Sequence, residues 1–212
     1  MVTLLRDYER NGGSLNSQGR EDAKLALENS DNAAIDALFV RLEQIHGGLV
    51  AASLAIQQIL REAGDRKTIV NTAPNDRGFT TEGQTQWSTG GEVLFYSALA
   101  RGCLLNTRDT AYVLGLMRKV IPSERWGVGS AGYPSSFQLA FKGGWGPDTA
   151  GRYQVRQTGI VNSGRRGYVL SILALPSNGS FSEGTSMVTA VAHWAREHLN
   201  LPTVRPSISG CG

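Results

Sequence analysis

Two short segments of the sequence combine residue types that can move protons and bind anions. The first is Ser30-Asp31-Asn32, which lies at the start of a helical pattern. The second is Lys142-Gly143-Gly144-Trp145, which lies at the end of a strand pattern more than a hundred residues later. A serine hydroxyl takes part in catalysis when a base lies nearby, and a lysine amine can act as a base when its surroundings lower its pKa. Such chemistry requires that the fold bring the two segments together.

Other common catalytic and metal-binding motifs are absent from the 212 residues. The sequence contains neither a Gly-x-Ser-x-Gly turn nor a Gly-x-x-x-x-Gly-Lys-Ser/Thr phosphate loop. His193 and His198 are five residues apart, which does not fit a zinc-binding pair, and Cys103 and Cys211 are too few for a metal site. Two separate thiols are the simpler interpretation, although a single disulfide is possible if the protein is exported. We expect neither a metal nor a cofactor.

The composition predicts one globular domain without a nucleic-acid surface. The chain is 41% hydrophobic and 18% charged, so it can bury a sizeable core. Its 21 basic and 18 acidic residues are scattered rather than gathered into a basic stripe, and nucleic acid is therefore not expected as a partner. The longest apolar runs are far shorter than the ~20 residues that cross a bilayer, and no basic-then-apolar leader stands at the start.

The first part of the chain, residues 1–121, is predicted to be mainly helical. Apolar residues recur at helical spacing from 35 to 45, with Ser30 or Asp31 placed to cap that helix and Gly47 to end it. Thr89 and Glu92 have the spacing of a capping box before another helix. Residues 65–87 lack periodicity, which is typical of a functional or lid-like loop. The remaining predicted helices are Val2 to Gly12, Leu49 to Ala63 and Thr107 to Leu116.

The second part, residues 122–212, is predicted to form an antiparallel sheet and a closing helix. Residues 162–167 are rich in turn formers and join two β-prone runs into a hairpin beside a third strand. Helical spacing returns over residues 186–199, and a helix that covers one face of the sheet is the simplest use for it. Together the two parts make one structural domain. The three predicted strands are Phe137–Phe141, Tyr153–Val161 and Tyr168–Leu175.

The two motifs and this order of elements resemble the β-lactamase and penicillin-binding serine hydrolases. In that family Ser-x-x-Lys supplies the nucleophile, Ser-Asp-Asn is the second signature, and Lys-Thr-Gly lies on a strand that lines the site. The segments at Ser30 and Lys142 match the second and third signatures in order and separation. The resemblance implies an α+β fold of the β-lactamase/transpeptidase type. Such a fold has a helical subdomain and an antiparallel sheet flanked by helices, here with the N-terminal strands missing.

The resemblance also assigns roles to individual residues. Ser30 would relay a proton to the leaving nitrogen, and Lys142 would hold that hydroxyl and the substrate carboxylate. Asn32 would hydrogen-bond the substrate amide and the lysine next to the nucleophile. By residue type alone, Ser30 could also be a plain helix cap and Lys142 a solvated strand end. The predicted substrate-binding residues, where glycine allows close approach of an extended acyl-amide ligand, are Gly143, Gly144 and Trp145.

The sequence departs from the family at the nucleophile. No Ser-x-x-Lys occurs, because the residues three positions before the four lysines are Glu21, Gly64, Leu116 and Leu139. The family carries this motif on the helix that leads toward what is here residues 2–5. We therefore expect that the chain begins just after the motif, with Met1 an internal residue or a misassigned start. As given, the chain should form no acyl-enzyme.

A second departure concerns the loop that serves deacylation in the family. In class A β-lactamases a loop Glu four residues before an Asn activates the hydrolytic water. The same count from Asn71 reaches Lys67, which cannot act as that base. An altered loop could deliver Glu62, Asp65 or Glu82 instead. Hydrolysis of an acyl-enzyme is therefore expected to be slow.

A third departure concerns recognition of the substrate carboxylate. Gly143 stands where the family has Thr or Ser, which removes one hydroxyl contact. Arginines in the hairpin region could compensate, and the sequence does not choose among them. They are Arg152, Arg156, Arg165 and Arg166.

The resemblance implies a β-lactamase-related acyl-serine hydrolase that acts, in full-length form, on amide or ester bonds in β-lactams or cell-wall-like peptides. The alternative is a non-catalytic member that binds such ligands, or a protein partner, through the same cleft. The absent nucleophile favours binding for this chain, whereas the retained Ser30, Asn32 and Lys142 favour catalysis in its parent. The substrates of the family lie outside the cytoplasmic membrane, so we expect an extracytoplasmic location.

Overall fold

The computed structural model describes residues 1–73, 84–148, 150–164 and 166–199. These ranges contain seven α-helices and three β-strands, and two short 3₁₀ turns, Pro122–Glu124 and Gly127–Ser130, precede the first strand. Glu82, Arg165 and Cys211 lie outside the described residues. The expected alternatives for Cys103 and Cys211, two separate thiols or one disulfide, therefore also fall outside them. The elements are α1 (Val2–Asn11), α2 (Ser17–Glu28), α3 (Asn32–His46), α4 (Leu49–Glu62), α5 (Thr89–Ala100), α6 (Thr107–Met117), β1 (Gln138–Pro147), β2 (Tyr153–Ser163), β3 (Arg166–Ala174) and α7 (Phe181–His198).

Side-chain caps and left-handed glycines set the ends of the predicted helices. Asp31 caps α3, because its carboxylate accepts the backbone N–H of Ala34 at 2.8 Å. The helix ends at Gly47, whose φ of 84° is open to glycine at no steric cost. Helices α1, α3, α4 and α6 agree with the predictions to within one or two residues at each end.

Helix α2 was not predicted. Asn16 caps it by accepting the N–H of Gly19 at 2.8 Å, a signal that the sequence carries. The apolar side of α2 is built largely from small residues, including the buried Ala23 and Ala26, and therefore gives a weak hydrophobic pattern.

Two predicted helix starts were misplaced. Ser88 caps α5 and accepts the N–H of Gly91 at 3.0 Å, so Thr89 and Glu92 do not form a capping box. The closing helix α7 begins at Phe181, earlier than the predicted residue 186, because Ser180 caps it. Both errors arise from a serine immediately before the helix that sequence analysis did not use.

The three strands form an antiparallel sheet in the order β1-β2-β3, as the sequence predicted. Strand β1 runs on to Pro147, so the Lys142-Gly143-Gly144-Trp145 segment lies within the strand rather than at its end. Lys142 is paired in register with Thr158 of β2. At the hairpin, Ser163 of β2 pairs with Arg166 of β3.

The sheet lies between two groups of helices. Helix α7 and the second 3₁₀ turn pack on one face, around the buried Phe141 and Val188. Helices α5 and α6 pack on the other face and share one core with α1 to α4, which contains the buried Leu4 and Leu99. Within the described ranges no strand precedes β1. No helix of this part of the chain is both long and apolar enough to cross a membrane.

A buried carboxylate fastens α5 to the sheet. Glu92 is only 5% exposed, and its carboxylate pairs with the Arg156 guanidinium at 2.9 Å. The hydroxyls of Thr158 and Ser171 donate to the same carboxylate. Arg156 also donates to the carbonyl of Trp87 at 2.8 Å, so the network reaches the end of the loop before α5. A buried charge of this kind is stable only when such partners compensate its desolvation.

We predict that Glu92→Ala lowers the free energy of unfolding by about 2–4 kcal/mol, because it leaves Arg156 and two hydroxyls without their acceptor. Urea denaturation followed by circular dichroism measures the change. Glu197→Ala is the matched control, since Glu197 pairs with Arg196 at the surface and should contribute less than about 1 kcal/mol. Equal effects of the two substitutions would show that the Glu92 network does not hold α5.

Candidate active site

Ser30 occupies a strained position between two helices. It lies in the link between α2 and α3, and its φ of 52° makes it the one non-glycine residue of the described ranges with a positive φ. Because Asp31 caps α3, the hydroxyl of Ser30 is not needed for capping. The plain-cap interpretation of Ser30 is therefore wrong.

Lys142 reaches Ser30 from the sheet. Its ammonium donates to the Ser30 hydroxyl oxygen and, at 2.6 Å, to the backbone carbonyl of Gly143. The Ser30 hydroxyl in turn donates to the Glu124 carboxylate at 2.5 Å. Three segments far apart in sequence thus form one chain of hydrogen bonds from an ammonium through a hydroxyl to a carboxylate. Lys142 is not a solvated strand end.

The surroundings of Lys142 change its protonation. Burial lowers the pKa of its amine to about 8, and the negative charge of Glu124 opposes part of this fall. An amine with a pKa near 8 is mostly charged at neutral pH but loses its proton far more readily than an exposed lysine. It can therefore donate hydrogen bonds to an anion or take part in proton transfer.

Glu124 is the residue that sequence analysis missed. It ends the 3₁₀ turn Pro122–Glu124. The preceding Ile121 donates its N–H to the carbonyl of Glu28 at 3.0 Å, which fixes this turn against the end of α2 and so beside Ser30. No motif surrounds Glu124, and only the packing of the turn on α2 gives it a place in the site.

Asn32 is the predicted catalytic residue that the hydrogen-bond network does not include. It begins α3, and its side chain is exposed and makes no hydrogen bond to another residue of the described ranges. Its proposed contacts are to a substrate and to a lysine of the missing signature, so its role stays a prediction.

The three predicted substrate-binding residues of β1 have different surroundings. A Cβ atom at Gly143 would lie 2.7 Å from Cζ2 of Trp126, so the space over this glycine is already filled by an indole ring. A Cβ at Gly144 would lie 3.4 Å from Cγ of Arg156, which is close to ordinary contact. Trp145 is 38% exposed, and the Lys142 ammonium lies 5.9 Å from its ring centroid.

The loop after α4 is held at both ends by one carboxylate. Asp65 accepts the hydroxyl of Thr68 at 2.5 Å, the N–H of Lys67 at 3.0 Å and the indole N–H of Trp87 at 3.1 Å. Burial alone would raise the pKa of Asp65, but these hydrogen bonds outweigh burial and lower it below its ordinary value. Asp65 is thus committed to the structure of the loop.

The other charged candidates are also accounted for. Glu62 pairs with Arg6 at 2.8 Å and Arg10 at 3.8 Å on α1, and Lys67 is exposed. Glu82 and Arg165 lie outside the described residues. Two of the arginines considered for the substrate carboxylate already pair with a carboxylate: Arg156 with buried Glu92, and Arg152 with Asp148. Arg166 is exposed at the hairpin. In the described ranges no group of three or more His, Cys, Asp or Glu side chains could hold a metal ion.

Comparison with known proteins identifies the class. The model of the β-lactamase enzyme family matches residues 16–199, and the chain belongs to this family. The resemblance drawn from the two motifs is thereby confirmed, together with the α+β fold class. No relative among curated proteins matches the sequence.

Several solved structures are similar to this chain. The chromosome-encoded β-lactamase of Vibrio parahaemolyticus is 16% identical with a TM-score of 0.68, covering 93% of this chain and 80% of that one. A representative of class A β-lactamase from Bacteroides cellulosilyticus is 13% identical with a TM-score of 0.68, covering 90% and 77%. A structure of PBP-A is 20% identical with a TM-score of 0.65, covering 93% and 78%. At these identities the likenesses show the fold alone.

The lowered pKa of Lys142 predicts a specific pH dependence of stability. Between the folded value of about 8 and the ordinary value of 10.5, the unfolded chain keeps a proton that the native chain has lost. Stability relative to Lys142→Met should therefore rise by about 1–3 kcal/mol over this interval. Urea unfolding of both proteins at about pH 7 and about pH 10 measures it. A difference that stays constant or falls with pH would contradict the buried position of the amine.

The contact between Gly143 and Trp126 predicts that Gly143→Ala is destabilising. The new methyl group meets the indole ring, which must shift, and overpacking of this kind costs about 1–3 kcal/mol. Gly144→Ala, one residue along the same strand, should cost less than about 1 kcal/mol because its Cβ has room. Thermal unfolding compares the two variants, and the prediction fails if Gly144→Ala is the more damaging.

Proposed function

We propose that this chain binds β-lactam or cell-wall-like acyl-amide ligands at the Ser30–Lys142 site, as part of a β-lactamase-related acyl-serine hydrolase. The observation that carries the proposal is the hydrogen-bonded series Lys142–Ser30–Glu124 in a member of the β-lactamase enzyme family. A carboxylate on the ligand would lie against the Lys142 ammonium. Charge-assisted hydrogen bonds of this type are the strong ones in binding sites.

The same series of groups suits proton transfer to a leaving nitrogen. Ser30 can release its proton toward a substrate nitrogen and regain one from the Lys142 ammonium, which already donates to its oxygen. Glu124 accepts from the Ser30 hydroxyl in the absence of ligand, and so holds the hydroxyl in one orientation. The strained backbone of Ser30 fixes the position of the oxygen further.

The nucleophile is the part of the proposal that these 212 residues do not supply. Without Ser-x-x-Lys, acyl transfer in the manner of the family has no attachment point here. Lys67 stands where deacylation would need a carboxylate, and Glu62 and Asp65 are engaged elsewhere. These observations favour a second candidate function, a non-catalytic member that binds the same ligands. Both candidates imply an extracytoplasmic location, which cell fractionation tests.

We predict that the 212-residue chain binds a fluorescent penicillin reversibly and is not labelled by it. Fluorescence anisotropy should show saturable binding that Lys142→Met weakens by about tenfold or more, because the variant loses a charge-assisted contact to the carboxylate. Lys24→Met is the control, since Lys24 lies exposed on α2. Denaturing electrophoresis should show no covalent label.

Two results would overturn the proposal. Equal affinities of the unchanged chain and the Lys142→Met variant would remove Lys142 from the binding site. A covalent label that maps to a serine of this chain would show that the chain has a nucleophile of its own.

A further inference from the structure

A cluster of aromatic rings lies beside Lys142. The Trp145 ring centroid is 5.2 Å from Phe181 and 6.1 Å from Trp126, and Tyr153 stands 6.0 Å from Phe181. Within this cluster Trp145 is the ring that lies next to the ammonium, at 5.9 Å. It is also 38% exposed. An apolar surface that remains in water and adjoins an anion-binding group is a candidate ligand subsite.

The position of Trp145 is set by the strand and by the ring behind it. Trp145 lies on β1, which is an edge strand of the described sheet. Trp126 fits against β1 because Gly143 has no side chain, and it meets Trp145 edge-on with an interplanar angle of 71°. Gly143 therefore leaves the space that the Trp126 ring fills, and Trp145 packs against that ring. Rings held from behind in this way lose little conformational freedom when a ligand stacks on them.

The distance between the ammonium and the ring limits what can bind. A carboxylate accepts from an ammonium at about 2.8 Å, and aromatic rings in contact have centroids about 4.5–7 Å apart. One small molecule can make both contacts if the linker between its anionic group and its ring spans the 5.9 Å between the ammonium and the Trp145 ring together with these two contact distances. We propose that Trp145, supported by Trp126 and Phe181, binds the aryl group of an anionic acyl-amide ligand and makes the site selective for aryl-bearing acyl chains. This inference rests on the proposed function and names the ligand class of the same site.

Benzylpenicillin and 6-aminopenicillanic acid provide the test, because they share the ring carboxylate and differ by the phenylacetyl group. The unchanged chain should bind benzylpenicillin about threefold to tenfold more tightly in calorimetry or in competition with a fluorescent penicillin. Trp145→Ala should remove this preference, and Trp145→Phe should retain most of it. Trp194→Ala is the matched control: Trp194 is exposed on α7, about 20 Å along the helix from Phe181, and its loss should leave the preference intact.

Loss of packing is separated from loss of recognition by a second variant. Trp145→Leu keeps apolar volume against Phe181 and lacks a flat ring, so a folded Trp145→Leu chain should also lose most of the preference. Equal affinities of the unchanged chain for the two compounds, or a preference that survives both the Ala and Leu substitutions, would overturn the inference and leave the proposed function standing. Binding of neither compound would overturn the proposed function, and the inference with it.

Discussion

The site depends on how the charge of Lys142 is accommodated. A lysine amine between a sheet and a helical layer loses water, and this loss lowers its pKa. The Ser30 hydroxyl and the Gly143 carbonyl replace part of the lost hydration, and Glu124 supplies the opposite charge one hydrogen bond further on. These hydrogen bonds form only when three segments meet. The positions of three elements are therefore coupled: the end of α2, the 3₁₀ turn Pro122–Glu124 and β1.

Two carboxylates hold the frame around that site. Glu92 joins α5 to β2 and β3 through Arg156, and Arg156 continues to the carbonyl of Trp87. Asp65 accepts the indole of Trp87 and closes the loop from its other end. The described ends of the segment between α4 and α5 are therefore held together by hydrogen bonds that occupy the carboxylate of Asp65.

Strand β1 has two faces with different tasks. Phe141 points into the core beneath α7, whereas Lys142 turns toward the helical layer. Gly143 accommodates the Trp126 ring, so the hydroxyl that the family places there has no room in this chain unless the ring moves. Trp145, two residues further along β1, packs against the same Trp126 ring and is partly exposed.

The sequence by itself indicated the family and the α+β class, and its motifs drew attention to the Ser30 and Lys142 segments. It could do so because helical and strand periodicity and short motifs are local properties of the chain. It also located four of the seven helices to within a residue or two, and it missed α2, whose small buried residues give little pattern. Only the tertiary structure decided that Asp31 rather than Ser30 caps α3 and that Glu124 joins the site. It likewise decided that Trp126 fills the space over Gly143. The places of Glu124 and Trp126 depend on contacts between separate segments of the chain, and the strength of a buried hydrogen bond or charge pair is fixed by the surroundings that folding creates.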